Sequence, residues 1–195
     1  MYSQNAEDEV VLKYFNGRTG HLLSIGECDG KYLSNSLLLI ENGWCADLLE
    51  PLKGTFDKIV ALHAGNPKVN VHNFGIAYES GIKPFYASGG SVINVLDKTL
   101  LDKWGYALEY ETTAQFYTWK DSKLAFNRYE FITIDTEGLD WDILQQMNLA
   151  SMGCECICLE QGNDQVNYRR MKEYCARFGL TKELLYNFEN VILAR

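Results

Sequence analysis

Several of the chain's short apolar runs end in carboxylates. His21-Leu22-Leu23-Ser24-Ile25 leads into Gly26-Glu27-Cys28-Asp29-Gly30, and Cys45-Ala46-Asp47-Leu48-Leu49 ends in Glu50-Pro51. Phe131-Ile132-Thr133-Ile134 runs into Asp135-Thr136-Glu137-Gly138, and Cys156-Ile157-Cys158-Leu159 ends in Glu160. Apolar runs of this length, closed by turn residues, read as buried strands. Glycines after the first strand let the backbone pass close to a ligand. A carboxylate about 20 residues after the glycine loop can accept hydrogen bonds from a ribose diol, and Glu50 stands there. Strand, glycine turn, helix and acid-ended strand together make half of a nucleotide-binding α/β domain.

The same residues narrow the ligand. Gly26-x-x-x-Gly30 is not the G-x-G-x-x-G fingerprint of dinucleotide enzymes, and no G-x-x-x-x-G-K-[ST] loop occurs. A phosphate would call for basic groups where the strand ends are acidic. S-adenosylmethionine fits this edge: it has adenine, ribose and an amino acid, no phosphate, and a cationic sulfonium. If a hydroxyl is the methyl acceptor, its proton must go to a base. Asp135 is the first choice because a strand end points into the cleft; Glu137 is second and Asp140 third. The competing reading of Asp135 and Glu137 is acid at a helix N-terminus. Asp135, Glu137 and Glu160 are also a candidate Mg2+ set, since carboxylates and water suit that ion. Gln4, Glu7 and Asp8 either fold over the cleft toward the acceptor or cap a helix. His21, His63 and His72 read as structural.

Composition sets outer bounds. A chain of 195 residues reads as one domain with a sizeable core. The net charge of -8 opposes a nucleic-acid footprint, so the expected partner is a small molecule. The basic cluster Arg169, Arg170 and Lys172 reads as a solvated helix face. No apolar run is long enough to span a bilayer, and the first residues lack the pattern of a signal peptide, so the expected location is the cytoplasm. The six cysteines lack paired zinc-ligand spacing. Cys154, Cys156 and Cys158 alternate, which predicts three thiols on one strand face; free buried thiols are expected.

The elements that must position these groups follow from pattern. Helices are predicted over Asn5–Phe15 with Ser3 or Asn5 as cap, Ser34–Asn42 with Asn42-Gly43 as its stop, Gly54–His63, from Leu139 through Met147, and Asp164–Phe178. Strands are predicted at His21–Ile25, Cys45–Leu49, Lys68–Phe74, Phe131–Ile134, Cys156–Leu159, Thr181–Tyr186 and Asn190–Ala194. This alternation, closed by two adjacent strands, predicts an α/β fold with a mostly parallel sheet and an antiparallel C-terminal hairpin. The stretch 82–129 reads as an irregular insert and candidate lid, with a short strand at Pro84-Phe85-Tyr86, a flexible turn at Ser88-Gly89-Gly90-Ser91 and a strand over Thr112–Trp119. Its aromatics, Tyr106, Tyr110, Phe116, Tyr117 and Trp119, read as core fillers ahead of a sugar-stacking surface. Residues 1–18 form an N-terminal helical segment able to cap the cleft.

Tyr2-Ser3-Gln4-Asn5-Ala6-Glu7-Asp8, Ile25-Gly26-Glu27-Cys28-Asp29-Gly30, Ser34-Asn35-Ser36, Gly43-Trp44 with Leu49-Glu50-Pro51, and Ile134-Asp135-Thr136-Glu137-Gly138-Leu139-Asp140 together resemble the FkbM-type methyltransferases, in that family's order and over nearly the whole chain. The resemblance implies a class I methyltransferase-like, Rossmann-like three-layer sandwich. It also implies S-adenosylmethionine-dependent O-methylation of a hydroxyl on a sugar, glycolipid or other small metabolite. By position, Gly26, Asp29 and Gly30 would line the methionine and ribose portions, Glu50 would grip the ribose, Asn35 would support the loop, and Asn73 and Gly75 would lie near adenine. The family's first loop reads D-[IV]-G-A-x-D-G. Here Ser24 replaces the acid and Glu27 the alanine, so Glu27 either supplies a carboxylate to the cofactor or crowds the loop. Ser24 and the short chain motivate an alternative, a non-catalytic cofactor-binding relative; a nicotinamide-dependent oxidoreductase is the third reading.

Overall fold

The computed structural model describes residues 1–88 and 93–195. In chain order the elements are α1 (Glu7–Phe15), β1 (His21–Ile25), α2 (Leu37–Glu41), β2 (Cys45–Leu49), α3 (Lys53–Leu62), β3 (Val69–His72), β4 (Gly75–Ile76), β5 (Gly81–Ser88) and β6 (Asn94–Val95). They continue with α4 (Thr99–Trp104), β7 (Leu108–Tyr117), β8 (Phe131–Ile134), α5 (Asp140–Leu144), β9 (Cys156–Glu160), α6 (Gln165–Ala176), β10 (Lys182–Tyr186) and β11 (Asn190–Ala194). Among the described residues the main sheet has seven strands in the order β10-β11-β9-β8-β1-β2-β3. β3, β2, β1, β8 and β9 run parallel, and β11 is antiparallel to both β9 and β10.

Both faces of this sheet are covered, which is why its strands read as near-continuous apolar runs. Leu22, Ala46, Leu48, Phe131, Cys156, Cys158 and Ile192 face one layer, where Val11 and Phe15 of α1, Leu39 of α2 and Ile59 of α3 close the core. Leu23, Ile25, Leu49, Ile132, Ile134, Ile157, Leu159 and Val191 face the other, against Ile143 of α5 and Met171 and Cys175 of α6. The result is the three-layer α/β sandwich expected. No helix among the described residues is long and apolar enough to cross a membrane.

Several details differ from expectation. α1 starts at Glu7, and its N-cap is Ala6, in the left-handed region with no side-chain cap. Asn5 is therefore not the cap, whereas Ser3 Oγ accepts from the Asp8 amide at 3.2 Å. α2 begins at Leu37, because Ser34 Oγ already accepts from the Ser36 and Leu37 amides. α5 ends at Leu144, short of Met147. Cys154 sits before β9 and packs in the α5–α6 layer, while Cys156 and Cys158 face the α1 layer, so the three thiols do not share a face. The six cysteines are free, and Cys45 is exposed.

The insert is more regular than its composition suggests. Much of 82–129 lies in β5, β6, α4 and β7, and a second sheet forms in the order β4-β7-β5-β6. β7 pairs with β5 over a long antiparallel register, and that pairing supplies the order a single segment's pattern could not show. Gly89-Gly90-Ser91 of the expected flexible turn lie outside the described residues. Phe85, Ala114 and Phe116 pack with Leu52, Ala77 and Leu139, which sets this sheet against the ends of β2 and β8.

Candidate functional site

The carboxyl ends of β1, β2, β8 and β9 meet at one edge, and a cavity of about 660 Å3 opens there. The backbone makes the meeting close. Gly26 has φ +88°, and a Cβ on it would lie 1.8 Å from the Asp135 carbonyl oxygen. Its amide donates to Leu49 O at 3.1 Å, and the Asp135 amide donates to Ile25 O at 3.0 Å. A residue with a side chain at position 26 would push the first and fourth strand loops apart. Three non-glycine residues on the wall, Cys28, Leu33 and Glu137, also have positive φ, at 57°, 58° and 54°. Strain of this kind tends to gather where a surrounding structure holds a site in shape.

Glu50 closes β2 with both oxygens occupied. Oε2 accepts from the Cys28 amide at 3.0 Å and Oε1 from the Leu52 amide at 2.8 Å. Burial nevertheless pushes its carboxyl up to about 7. Glu27 is buried against the start of α2, where its Oε1 accepts from Ser34 Oγ at 2.8 Å and Ser36 Oγ at 2.7 Å. Ser24 also hydrogen-bonds to it. Burial raises its carboxyl, and these three hydroxyls oppose that rise. The carboxylate at this end of the wall thus comes from position 27, hydrogen-bonded to Ser24.

Asp135, Glu137 and Glu160 line the other half of the cavity. Burial raises all three, repulsion from surrounding carboxylates adds to it, and Glu160 lies well above the usual carboxylate range. The Asp135 carboxyl takes a hydrogen bond from Glu160, which lowers it relative to its neighbours. Among the described residues no group of three His, Cys, Asp or Glu side chains is arranged to hold a metal ion. That corrects the candidate Mg2+ set of Asp135, Glu137 and Glu160: these side chains share a wall without converging on one point.

The cavity also takes in Gln4, Gly26, Glu27, Asn35, Glu50 and Gly75. Asp140 is not on its wall. Its oxygens accept from the Thr136 and Gly138 amides, each at 3.3 Å, and hold the turn after β8. Asp29 accepts from the Lys31 and Tyr32 amides and lies off the wall, as does Gly30, which packs against Ile59 and Leu62. Asn73 donates to the carbonyls of Glu50 and Pro51 and so steadies the turn from behind. Glu7 and Asp8 are buried tethers: Glu7 accepts from Asn5, Asn187 and Asn190, and Asp8 from Tyr2 and Ser3. Asn35 donates to Thr133 Oγ1 at 3.4 Å.

Glu189 and Asn190 line the cavity as well, and sequence pattern marks them only as part of the hairpin turn and the first residue of the last strand. The available signal was topological, since an antiparallel last strand returns its turn to the carboxyl edge of its parallel neighbours. Of the insert aromatics, Phe116 and Trp119 are core, Tyr117 packs edge-on against Phe74, and Tyr106 and Tyr110 are exposed. Tyr106 and Phe116 reach the cavity wall. His21 and His72 flank the buried Asp47 at 3.1 and 3.0 Å, and His63 closes α3, so the histidines lie away from the cavity. Arg170 stacks over Trp141 and Lys172 pairs with Glu183, which disperses the basic cluster.

No family model and no curated protein matches the chain. Solved structures do. A SAM-dependent methyltransferase of the DUF858 family from Leishmania major superposes with a TM-score of 0.50 at 13% identity, over 97% of this chain and 71% of that one. The delta-N METTL16 methyltransferase domain superposes with a TM-score of 0.51 at 10% identity, over 100% of this chain and 84% of that one. The fold is that of the class I methyltransferases. Identities this low speak to the fold alone and leave the chemistry to the residues.

Proposed function

We propose that the protein is an S-adenosylmethionine-dependent methyltransferase acting on a hydroxyl of a small acceptor, a sugar or similar metabolite. The observation that carries this reading is the single cavity that joins Gly26, Glu27 and Glu50 at one end to Asp135, Glu137 and Glu160 at the other. Its volume of about 660 Å3 suits a cofactor and a small acceptor together. Its described wall carries no Lys, Arg or His, which suits a phosphate-free, cationic cofactor and disfavours a nicotinamide dinucleotide. The same charge disfavours a nucleic-acid acceptor.

When bound, S-adenosylmethionine supplies an electrophilic methyl on a sulfonium sulfur. The protein's own part is binding, alignment and proton removal. Glu50 retains lone pairs beyond its two backbone bonds and can accept from ribose hydroxyls. Glu27 presents the carboxylate nearest the glycine loop and would face an amino group. Asp135 is the base: it sits on the cavity wall, is raised toward neutrality by burial, and remains the most readily ionised of its coupled neighbours. Asp135 would take the acceptor hydroxyl's proton as that oxygen receives the methyl, leaving the cofactor's sulfur a neutral thioether. Asp140, expected as a third candidate base, instead fixes the turn that presents Asp135.

Calorimetric titration with S-adenosylhomocysteine tests the reading. Saturable binding is expected, and Glu50→Ala should weaken it by ~1–3 kcal/mol through lost charged hydrogen bonds. Absence of binding to folded protein would refute the cofactor assignment, and an unchanged affinity in Glu50→Ala would take Glu50 out of the site.

A further inference from the structure

The β8–β9–β11 end of the cavity is built almost wholly from hydrogen-bond acceptors. Asn190 stands opposite Glu160 in the β9–β11 register. Alternation along the strands puts Asp135 and Glu160 on the face shared by Thr133 and Cys158, beneath α1. Glu137 joins them from the turn after β8, and Glu189 from the hairpin turn. The donors supplied from within are few: Gln4 Nε2 reaches Glu189 at 2.8 Å and Asn5 Nδ2 reaches it at 3.1 Å.

Asn190 adds an observation independent of the carboxylates. It is only 5% exposed, and its Nδ2 donates to Glu7 Oε1 at 3.0 Å. Because Glu7 is an acceptor, the amide nitrogen must face it, which fixes Oδ1 on the other side. That oxygen is buried and receives no hydrogen bond. A buried acceptor without a donor is costly, and natural structures seldom leave one unexplained. Acidic walls, an orphaned neutral acceptor and no basic residue among the described lining residues all call for a ligand rich in N–H donors and positive charge.

We infer that this end of the cavity is a subsite for a protonated amine on the acceptor, held by Glu160 and Glu189 with Asn190 Oδ1 as a neutral partner. The inference rests on the methyltransferase reading for the word acceptor and on the wall's own chemistry for the amine. It narrows the substrate class to hydroxylated amines such as amino sugars or amino alcohols, and it excludes phosphorylated acceptors. An ammonium offers three N–H donors to this set, whereas a neutral polyol leaves the charges unbalanced. The titratable groups whose charge acts on Asp135 and Glu160 are Glu7 from α1, Glu27 from the first loop, Glu137 and Asp140 after β8, and Glu189 from the hairpin. Burial and repulsion among these acids favour their protonated forms, so a cation that binds here must displace protons.

The test is calorimetry on the full chain with putrescine, its neutral isostere 1,4-butanediol, its anionic isostere succinate, and Mg2+, each with and without S-adenosylhomocysteine. Putrescine should bind at least about tenfold more tightly than the diol, and succinate should not bind. Putrescine affinity should rise from pH 6.5 to pH 8.5, and titrations in two buffers of different ionisation enthalpy should show proton release. Glu160→Gln, and independently the hairpin variant Glu189→Gln, should weaken putrescine about tenfold while leaving S-adenosylhomocysteine affinity unchanged. Equal binding of amine and diol, putrescine affinity indifferent to both variants, or Mg2+ outcompeting putrescine at Glu160 would each overturn the inference. Failure of S-adenosylhomocysteine alone to bind would sink the methyltransferase reading without touching the amine titration.

Discussion

Asp135 and Gly26 touch through their backbones, and their side-chain requirements are opposite. As the proposed base Asp135 needs its carboxylate, and Gly26 needs to have no side chain. Asp135→Asn keeps the size of the group and removes its basicity, so turnover should fall by a factor of about 100 or more while S-adenosylhomocysteine affinity changes little. Single-turnover kinetics beside calorimetry separates the two, and an equal loss of both would mark Asp135 as a binding residue. Gly26→Ala meets a main-chain oxygen and a disfavoured φ at once, for which no rotamer change compensates. Its expected cost is on the order of 3 kcal/mol or more, readable as a lowered denaturation midpoint with a parallel loss of cofactor binding. The Ser24 and Glu27 pair belongs to this scale as well. Read one position at a time they look like two departures from a family loop, and read in space they are one carboxylate with its hydrogen-bond donors.

At the scale of elements, the edge of the cavity is held by connections that skip most of the chain. α1 is joined to the β10–β11 hairpin through Glu7, which accepts from Asn187 at 3.1 Å and Asn190 at 3.0 Å. Burial alone would raise the Glu7 carboxyl, but these bonds together with the Asn5 amide and its own backbone N–H lower it, so it is ionised across the working range. Glu7→Ala would take the acceptor from the Asn5 backbone amide and the Asn187 and Asn190 side-chain amides and should destabilise the protein by about 3 kcal/mol. Urea unfolding would report that loss, and limited proteolysis should show earlier cleavage in residues 1–6. An undisturbed midpoint would mean the hairpin holds its position without α1. The second sheet shows the same dependence on distant partners. β5 and β7 were each visible in part from β-branched and aromatic residues, yet their pairing and their packing against Leu52 and Leu139 were not.

For the whole molecule, the concentration of acid at one edge makes stability depend on pH in a particular direction. Glu27, Glu50, Asp135, Glu137, Asp140 and Glu160 are raised in the folded state. The unfolded chain therefore binds fewer protons than the folded one between the ordinary carboxylate range and about pH 8, where Glu137 titrates. Unfolding free energy falls with pH across that window. Asp47 has the opposite sign: despite its burial, His21, His72, Tyr129 and Asn70 hold it well below the usual range. Its contribution is present above the ordinary Asp value and is lost only in strong acid. The ligand-free protein should thus melt at a higher temperature near pH 6 than near pH 8.5. A flat or rising profile by calorimetry over that range would contradict the raised carboxyls.

The sequence by itself determined the order of the elements, because hydrophobic period and turn residues are local properties. Apolar runs at His21–Ile25, Cys45–Leu49, Phe131–Ile134 and Asn190–Ala194 returned their strands at the expected bounds, and with them the α/β class and the closing hairpin. It also placed Gly26, Glu27, Glu50, Asp135, Glu137 and Glu160 at strand ends, where parallel sheets gather their ligands. Tertiary structure decided which of the nearby polar residues face the cavity. Asp29, Asn73, Asp140, Glu7 and Asp8 have the right types in the right neighbourhoods, yet each turns to satisfy backbone or amide donors, a choice set by partners far away in sequence. Glu189 and Asn190 came to the site only because β11 runs backward beside β9. Local pattern carries no information about that pairing, since its energy lies between strands and not along them.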